Sequence, residues 1–347
     1  MSRIFVDGIG AVSPAGWGVA DLRAALEKNA SLPVQPVPRP GWEKPLFIRP
    51  VPPPAARPAF FAHPRLRRAN AITQFTIAAA LEALGETVSP VQSGAVRLGL
   101  IVSMMAGSVN YSRRVYEEVL RDPATASPLI FPETVFNAPA SHLAAYLGSN
   151  AICYTLVGDD GTFLQGIALA AQWLADDKVD VCLVIGAEET DWLVADAVKL
   201  FHPNAVHSAG AGAILLKKDF GSGAIAELAA ITDSFPFTQR QTRAAAARRM
   251  RAQFPPGAKN ELLCTSAQQL PRPDAAENQA WNDWTGVRMA PRAILGEAFQ
   301  AATAWQCVAA CDGIRQNKFA GANVSVVGAN QQAIGARFAK PVFGGNA

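Results

Sequence analysis

Charge is what this sequence has least of. Asp, Glu, Lys and Arg make up 17% of its 347 residues, against roughly 25% in an average soluble domain. Half of the residues are hydrophobic, which excludes a disordered chain, since disorder goes with abundant charge and few aliphatics. So little charge leaves two accounts: an unusually large core, or apolar surface hidden against a partner. The charge present is balanced, 31 basic against 28 acidic residues for a net +3. That excludes the concentrated basic face nucleic acid requires.

Long apolar runs are missing too. No stretch reaches the ~18 consecutive apolar residues of a membrane span. The longest, Leu98 to Ala106 and Val181 to Ala187, are strand-sized. Asp7 and Gly8 interrupt the N-terminal apolar run before it reaches signal-peptide length, so the expectation is a protein that is not exported. Cysteine is scarce: five residues, odd in number and scattered, as in a reducing cytoplasm. No CxxC pair exists, and a zinc site needs about four ligands. Cys307 and Cys311, four apart on one helix face, read as buried apolar thiols. Neither a metal nor a cofactor is expected.

What is there is an alternation of strands and helices. An apolar strand over 4–12 leads through a turn at Ser13 to Gly16 into a helix from Val19 to Leu26. Residues 31–64 hold eleven prolines, which fix φ and remove donors, so this stretch is neither helix nor central strand. It reads as a surface strap anchored by Trp42, Phe47, Phe60 and Phe61. Helical spacing runs from Arg68 to Leu84 and from Ser141 to Leu147. Strands are expected at 97–104, 151–157, 180–186 and 211–216. The last three are separated by a Gly158–Gly161 turn, an Ala-rich helix to Leu174 and a loop with His202 and His207. After residue 220 the pattern restarts: strand 224–231, helix around 240–250, strand 261–265, helix 294–314 and a terminal strand 324–327. Strands apolar on both faces and alternating with helices indicate a covered, largely parallel sheet. The expected division is 1–220 and a shorter 221–347.

Local motifs are few. Gly8-x-Gly10 after a strand invites a dinucleotide reading, but the third glycine is replaced by Ser13 and the proline strap occupies the place of the acidic ribose partner. His142, His202 and His207 show no ligand spacing. Asp159-Asp160, in a glycine-flanked turn before a helix, carries two readings. A helix N-terminus can present a charged nucleophile, and Asp is also a preferred N-cap; on residues alone the cap is the simpler account. Arg240, Arg243, Arg248, Arg249 and Arg251 surround an alanine run on a helix. They form either a solvated face or a dock for an acidic or phosphate-bearing partner.

Taken in order, these segments resemble the β-ketoacyl-acyl-carrier-protein synthases. Val6 to Gly16 is similar to their first strand and turn, and Arg68 to Leu84 to their Ala-rich helix. Phe136 to Ala140 resembles the stretch before their active-site strand, and Asp180 to Glu188 their strand ending in Gly-Gly-Ala-Glu. Gly210 to Leu216 resembles the strand closing their first half, and Val327 to Asn330 their terminal glycine-rich turn. The resemblance implies a thiolase-like αβαβα five-layered sandwich of two similar halves. It also implies a catalytic cysteine and two histidines, and none is found. By this alignment Asp160 stands for the cysteine, Ser266 for the first histidine, Glu297 for the second and Val326 for the gating phenylalanine. Asp159, Asp160, Val326 and Asn330 would line the pocket, and its like-charged carboxylates would raise a pKa and repel a malonyl group.

Three functions compete on this basis. The first is a non-condensing partner of an active synthase, like the chain-length-factor subunits, forming a heterodimer (or a homodimer) and working with acyl carrier protein in fatty acid or polyketide biosynthesis. The second is an enzyme of altered acyl-thioester chemistry using Asp160, Ser266 and Glu297 as acid or base groups. The third is an acyl-chain or carrier-protein binding module docking through the arginine cluster.

Overall fold

The computed structural model describes residues 3–218 and 223–342; the expected division at 220/221 lies outside them. Strands β1 (Phe5–Ser13) and β2 (Gly16–Trp17) lead into α1 (Val19–Lys28), and β3 (Gln35–Val37) and β4 (Leu46–Arg49) follow in the proline-rich stretch. Then come α2 (Ala71–Leu84), α3 (Val88–Gln92), β5 (Leu98–Met104), α4 (Val109–Arg121), α5 (Ala138–Leu147), β6 (Ile152–Val157) and α6 (Thr162–Ala175). β7 (Val181–Glu188), α7 (Trp192–Phe201), β8 (His207–Ser208) and β9 (Gly210–Lys217) complete the first part. The second part runs β10 (Ala226–Ile231), β11 (Phe235–Pro236), α8 (Arg243–Ala252), β12 (Glu261–Cys264), α9 (Pro271–Ala280) and β13 (Val287–Met289). It ends with α10 (Pro291–Leu295), α11 (Phe299–Arg315), β14 (Gly321–Val327) and β15 (Gln332–Ala339).

Ten strands form one path, β13-β12-β14-β15-β10-β1-β9-β7-β5-β6. The path repeats itself about the β1–β10 junction. From β1 outward the pairings are antiparallel to β9, antiparallel to β7, then parallel to β5 and β6. From β10 outward they are antiparallel to β15, antiparallel to β14, then parallel to β12 and β13. The sheet is therefore mixed rather than largely parallel. The apolar runs of β7 and β9 did not reveal this, because a strand buried on both faces reads alike in either direction. The strand ending at Val327 is not terminal either, since β15 folds back antiparallel on it.

Five layers follow from what each face buries. α2 and α5 cover the outer face of β1, β5, β7 and β9. α6 and α11 lie in the middle, packed with the inner faces of both sets of strands. α8 and α9 cover the outer face of the second set. α11 has sixteen of its seventeen residues buried, as a helix between two sheets must. Gly8 and Gly10 belong to this packing: a Cβ there would come 1.8 and 2.0 Å from the carbonyl oxygens of Ala83 and Ala79 on α2. They let a helix backbone touch a strand backbone, which accounts for the Gly-x-Gly without a nucleotide.

The proline-rich stretch is a partly ordered strap. β3 and β4 pair with each other and β4 with β8, making a separate three-stranded sheet. Its anchors are Leu46, Ile48 and Phe60. Trp42 and Phe47 are instead exposed, with Arg39 stacked 3.8 Å over the Trp42 ring. Four helices, α3, α4, α7 and α9, go beyond the elements expected from the sequence. α4 buries none of its residues, so no core-facing stripe betrays it.

Candidate active site

The expected helix over 294–314 is broken in two, and the break builds the site. α10 ends at Gly296, whose φ of +97° suits glycine and whose Cβ would come 2.8 Å from the Val206 carbonyl oxygen. The chain then runs beside β8: Glu297 N donates to Val206 O at 2.8 Å, and Ser208 N donates to Glu297 O at 2.8 Å. His207 is thereby held next to Glu297. Burial lowers the His207 pKa to about 4, outweighing the carbonyls of Glu189 and Glu297 that favour its charged form. It is a neutral interior histidine.

Asp160 ends the turn between β6 and α6 and is buried. It is not a helix cap: the N-cap of α6 is Gly161, with no side-chain cap bond. Its Oδ2 accepts instead from Nη1 of Arg292 on α10. The same Nη1 lies 3.2 and 3.0 Å from Glu297 Oε1 and Oε2, and Nη2 donates to Thr303 Oγ1 at 2.9 Å. Glu297 Oε1 also accepts from Phe299 N at 2.7 Å, and Gln268 Nε2 donates to Oε2. One guanidinium thus sits between two carboxylates, all three inside the protein.

Burial raises the Glu297 carboxyl above the ordinary carboxylate range, and the charge of Asp160 adds to this against the pull of Arg292. Burial also opposes the charge on Arg292, but Asp160 and Glu297 outweigh it and hold its pKa above the usual arginine value. With Glu297 protonated the cluster is neutral, the arrangement that a low-dielectric interior favours. The expected purely acidic pocket is therefore corrected: Arg292 supplies the counter-charge. Its signal in the sequence was an arginine inside the short apolar run Pro291 to Leu295, since arginine is almost never fully buried unless paired.

The other expected site residues part company. Asp159 Oδ1 accepts from Gly161 N at 3.2 Å, and Oδ2 accepts from Gln331 N at 3.1 Å and Gln332 N at 3.4 Å. Its carboxylate ties the first part to the β14–β15 turn, and burial followed by the neighbouring Asp160 charge raises its pKa. Ser266 Oγ donates to Glu277 Oε2 at 2.9 Å and accepts from Val327 N at 3.1 Å. Ser325 Oγ, which accepts from Trp281 Nε1 at 2.9 Å, donates to the other oxygen of Glu277 at 2.5 Å. Ser266 thus belongs to a second buried network, with no hydrogen bond to Asp160 or Glu297. Val326 is buried in β14 as part of the core, whereas Asn330 is exposed in the turn.

The arginines divide similarly. Arg243 donates to the carbonyls of Ala329 and Val327 at 3.2 and 3.0 Å. Arg249 donates to Gln241 at 2.6 Å, and Arg251 pairs with Asp283 at 2.8 Å and lies over Trp281. Arg240 and Arg248 are exposed. His142 pairs with Glu133 at 2.8 Å.

Chemically the cluster is poor at accepting an acyl group. A carboxylate already bonded to a guanidinium is a weak nucleophile, and an acyl-aspartyl anhydride would hydrolyse. Nor is a thiol at hand: Cys264, Cys307 and Cys311 are buried on β12 and α11, and burial pushes the Cys264 thiol up to about 12. Such a thiol stays protonated at neutral pH.

Comparison with solved structures places this architecture. The chain superposes along 98% of its length on 99% of a chain from a type II polyketide acyl-carrier protein in complex with its ketosynthase bound to the hexaketide, at a TM-score of 0.79 and 16% identity. The chain has the ketosynthase fold. A β-ketoacyl synthase from Burkholderia phymatum STM815 matches at a TM-score of 0.81 and 15% identity, with 99% of this chain and 100% of that one covered. The ishigamide ketosynthase/chain length factor matches at 0.77 and 19%, with coverage of 97% and 99%. No family model and no curated protein matches the sequence. The five layers and the repeated strand order are thus those of the thiolase-like sandwich that the motif resemblance implied.

Proposed function

We propose that this chain is a non-condensing, chain-length-factor-type partner of an active β-ketoacyl synthase in fatty acid or polyketide biosynthesis. One observation carries the reading. Asp160, which the motif resemblance puts at the position of the nucleophile, is buried and bonded to Arg292, which also holds Glu297. The place where a ketosynthase binds its acyl chain covalently is here filled by a charge-balanced plug. Among the similar structures are a ketosynthase/chain length factor and a ketosynthase in complex with an acyl-carrier protein. The exposed apolar surface on β6 and α4 suits a partner subunit. Arg240 and Arg248 are the members of the arginine cluster free to dock a carrier protein. The five free thiols, one of them exposed, suit a reducing cytoplasm.

A second reading, altered acyl-thioester chemistry, draws on Glu297, whose pKa burial raises to about 7, in the range suited to a general acid or base. One experiment separates the two. The chain is co-expressed with a cysteine-bearing β-ketoacyl synthase of its own organism, purified, and assayed alone and in complex. The partner reading expects a stable complex that condenses and a lone chain that neither condenses nor hydrolyses acyl-carrier-protein thioesters. Turnover by the lone chain that Asp160→Asn abolishes would favour the second reading. Failure to bind the synthase would overturn the first.

A further inference from the structure

Two segments converge on Arg292, and they bring one carboxylate more than it can neutralise. Asp160 reaches it from the turn before α6, and Glu297 from the break between α10 and α11. Both bond to the same nitrogen, Nη1; Nη2 donates to Thr303 Oγ1, and Nε is buried with no partner. One guanidinium balances one carboxylate, so in a low-dielectric interior the second is stable only with a proton. Burial raises the Glu297 carboxyl to about 7, against the pull of Arg292, which places that proton on Glu297.

Among the described residues, no other cation bonds to either carboxylate. Arg243 on α8 directs its terminal nitrogens at the Ala329 and Val327 carbonyls. His202 and His207 are held towards the neutral form by burial. The remaining carboxyls nearby have partners of their own: Asp159 accepts from the amides of Gly161 and Gln331, Glu188 on β7 from those of Met105 and Ala106, Asp274 from those of Gln268 and Leu270, and Glu277 on α9 from the Ser266 and Ser325 hydroxyls. The backbone beside Glu297 is strained as well. Phe299, whose N donates to Glu297 Oε1 at 2.7 Å, has a φ of +42°. Gln268 donates to Oε2, and Gln269 next to it has a φ of +62°. Left-handed backbone at such residues persists only where surrounding contacts hold it, and the contact common to both places is the Glu297 carboxyl.

We propose that Asp160, Arg292 and Glu297 form a proton-operated latch. With one proton on Glu297 the latch is closed, and it locks the turn before α6 to α10, to the start of α11 and to the 265–270 loop. When that proton passes to solvent, the cluster carries one uncompensated negative charge, and the 265–270 and 296–299 segments relax to let water reach it. A carboxyl whose pKa is raised by closure favours the closed state only while protonated, so closure is strongest in mild acid and weakens as pH rises through about 7. The latch needs neither a substrate nor a second subunit, so it stands or falls apart from both readings above.

Hydrogen–deuterium exchange of the full-length chain at about pH 6 and about pH 8.5 tests it. After correction for intrinsic exchange, the opening constant of the 265–270 and 296–303 segments should rise about 10-fold between the two. Glu297→Gln keeps the shape without the charge and should abolish that rise. Asp160→Asn leaves Arg292 to balance Glu297 alone; it should abolish the rise too, and it serves if Glu297→Gln fails to fold. The carboxyls of Asp159, Glu188 and Glu277 remain in both variants, so a rise that survives belongs to them. A parent chain whose opening is independent of pH, or a rise undiminished in either folded variant, would overturn the proposal.

Discussion

His207 shows how much a single side chain can owe to its surroundings. In the sequence it is a loop histidine with no ligand pattern. In the fold, the backbone of Glu297 pairs beside it and the Phe299 ring lies 5.6 Å away. Its pKa falls from the ordinary 6.5 to about 4 because it is buried. A depressed pKa means stability that is present above 6.5 and lost as pH falls towards 4, when the unfolded chain takes up a proton that the folded chain refuses. The difference amounts to roughly 3 kcal/mol. His207→Phe should therefore lose less stability than the parent between pH 7 and pH 4.5 in denaturant titrations; an identical acid limb would refute this. Asp160 teaches the opposite lesson about legibility. Its importance was visible from its place in a turn before a helix. Its role was not, because the partner that defines it, Arg292, is 132 residues away.

At the scale of elements, the segments easiest to read were those whose burial leaves a continuous or periodic apolar pattern. β5, β7 and β9 declared themselves as continuous apolar runs, whereas α4, with no buried residue, did not. The break between α10 and α11 was hidden because apolar residues lie on both sides of Gly296 and Glu297. The contact of β1 with α2 makes a sharp prediction. A Cβ on Gly10 would meet the Ala79 carbonyl at 2.0 Å and the amide of Ala83 at 3.0 Å, and neither backbone can move without dragging the helix. Gly10→Ala should cost about 3 kcal/mol or more, read as a drop in the unfolding midpoint. A nucleotide-site origin for this glycine would predict no such loss.

For the whole molecule, the low charge content has its first account in a large core, and the surface that the second would need is present. The interior is large, with a five-layered core and a central helix buried almost throughout. Apolar surface is also left uncovered. β6 ends the sheet, so among the described residues one edge of its backbone has no neighbouring strand, and Ile152, Tyr154 and Val157 on it are exposed. Natural sheets blunt such edges with charge or proline unless another chain pairs with them, and β6 carries neither. On the partner reading this edge is where the second subunit adds. Ile152→Lys and Val157→Lys should each abolish association in size-exclusion chromatography with light scattering while changing the stability of the single chain by less than about 1 kcal/mol. A parent chain that stays monomeric beside its synthase, or lysine variants that still associate, would count against it.

By itself the sequence determined the alternation of strands and helices and the restart of that pattern in the second part of the chain, and it carries no cysteine or histidine at the three places that the motif resemblance aligns with catalytic ones. These are matters of local periodicity and of residue type, which the chain carries at every point. The tertiary structure decided the rest. It set strand direction, sent Ser266 into a network with Glu277, and made the acidic site a neutral one by bringing Arg292 between Asp160 and Glu297. Charge in an interior is settled by what lies within a few ångströms, and those neighbours come from parts of the chain that only the fold brings together.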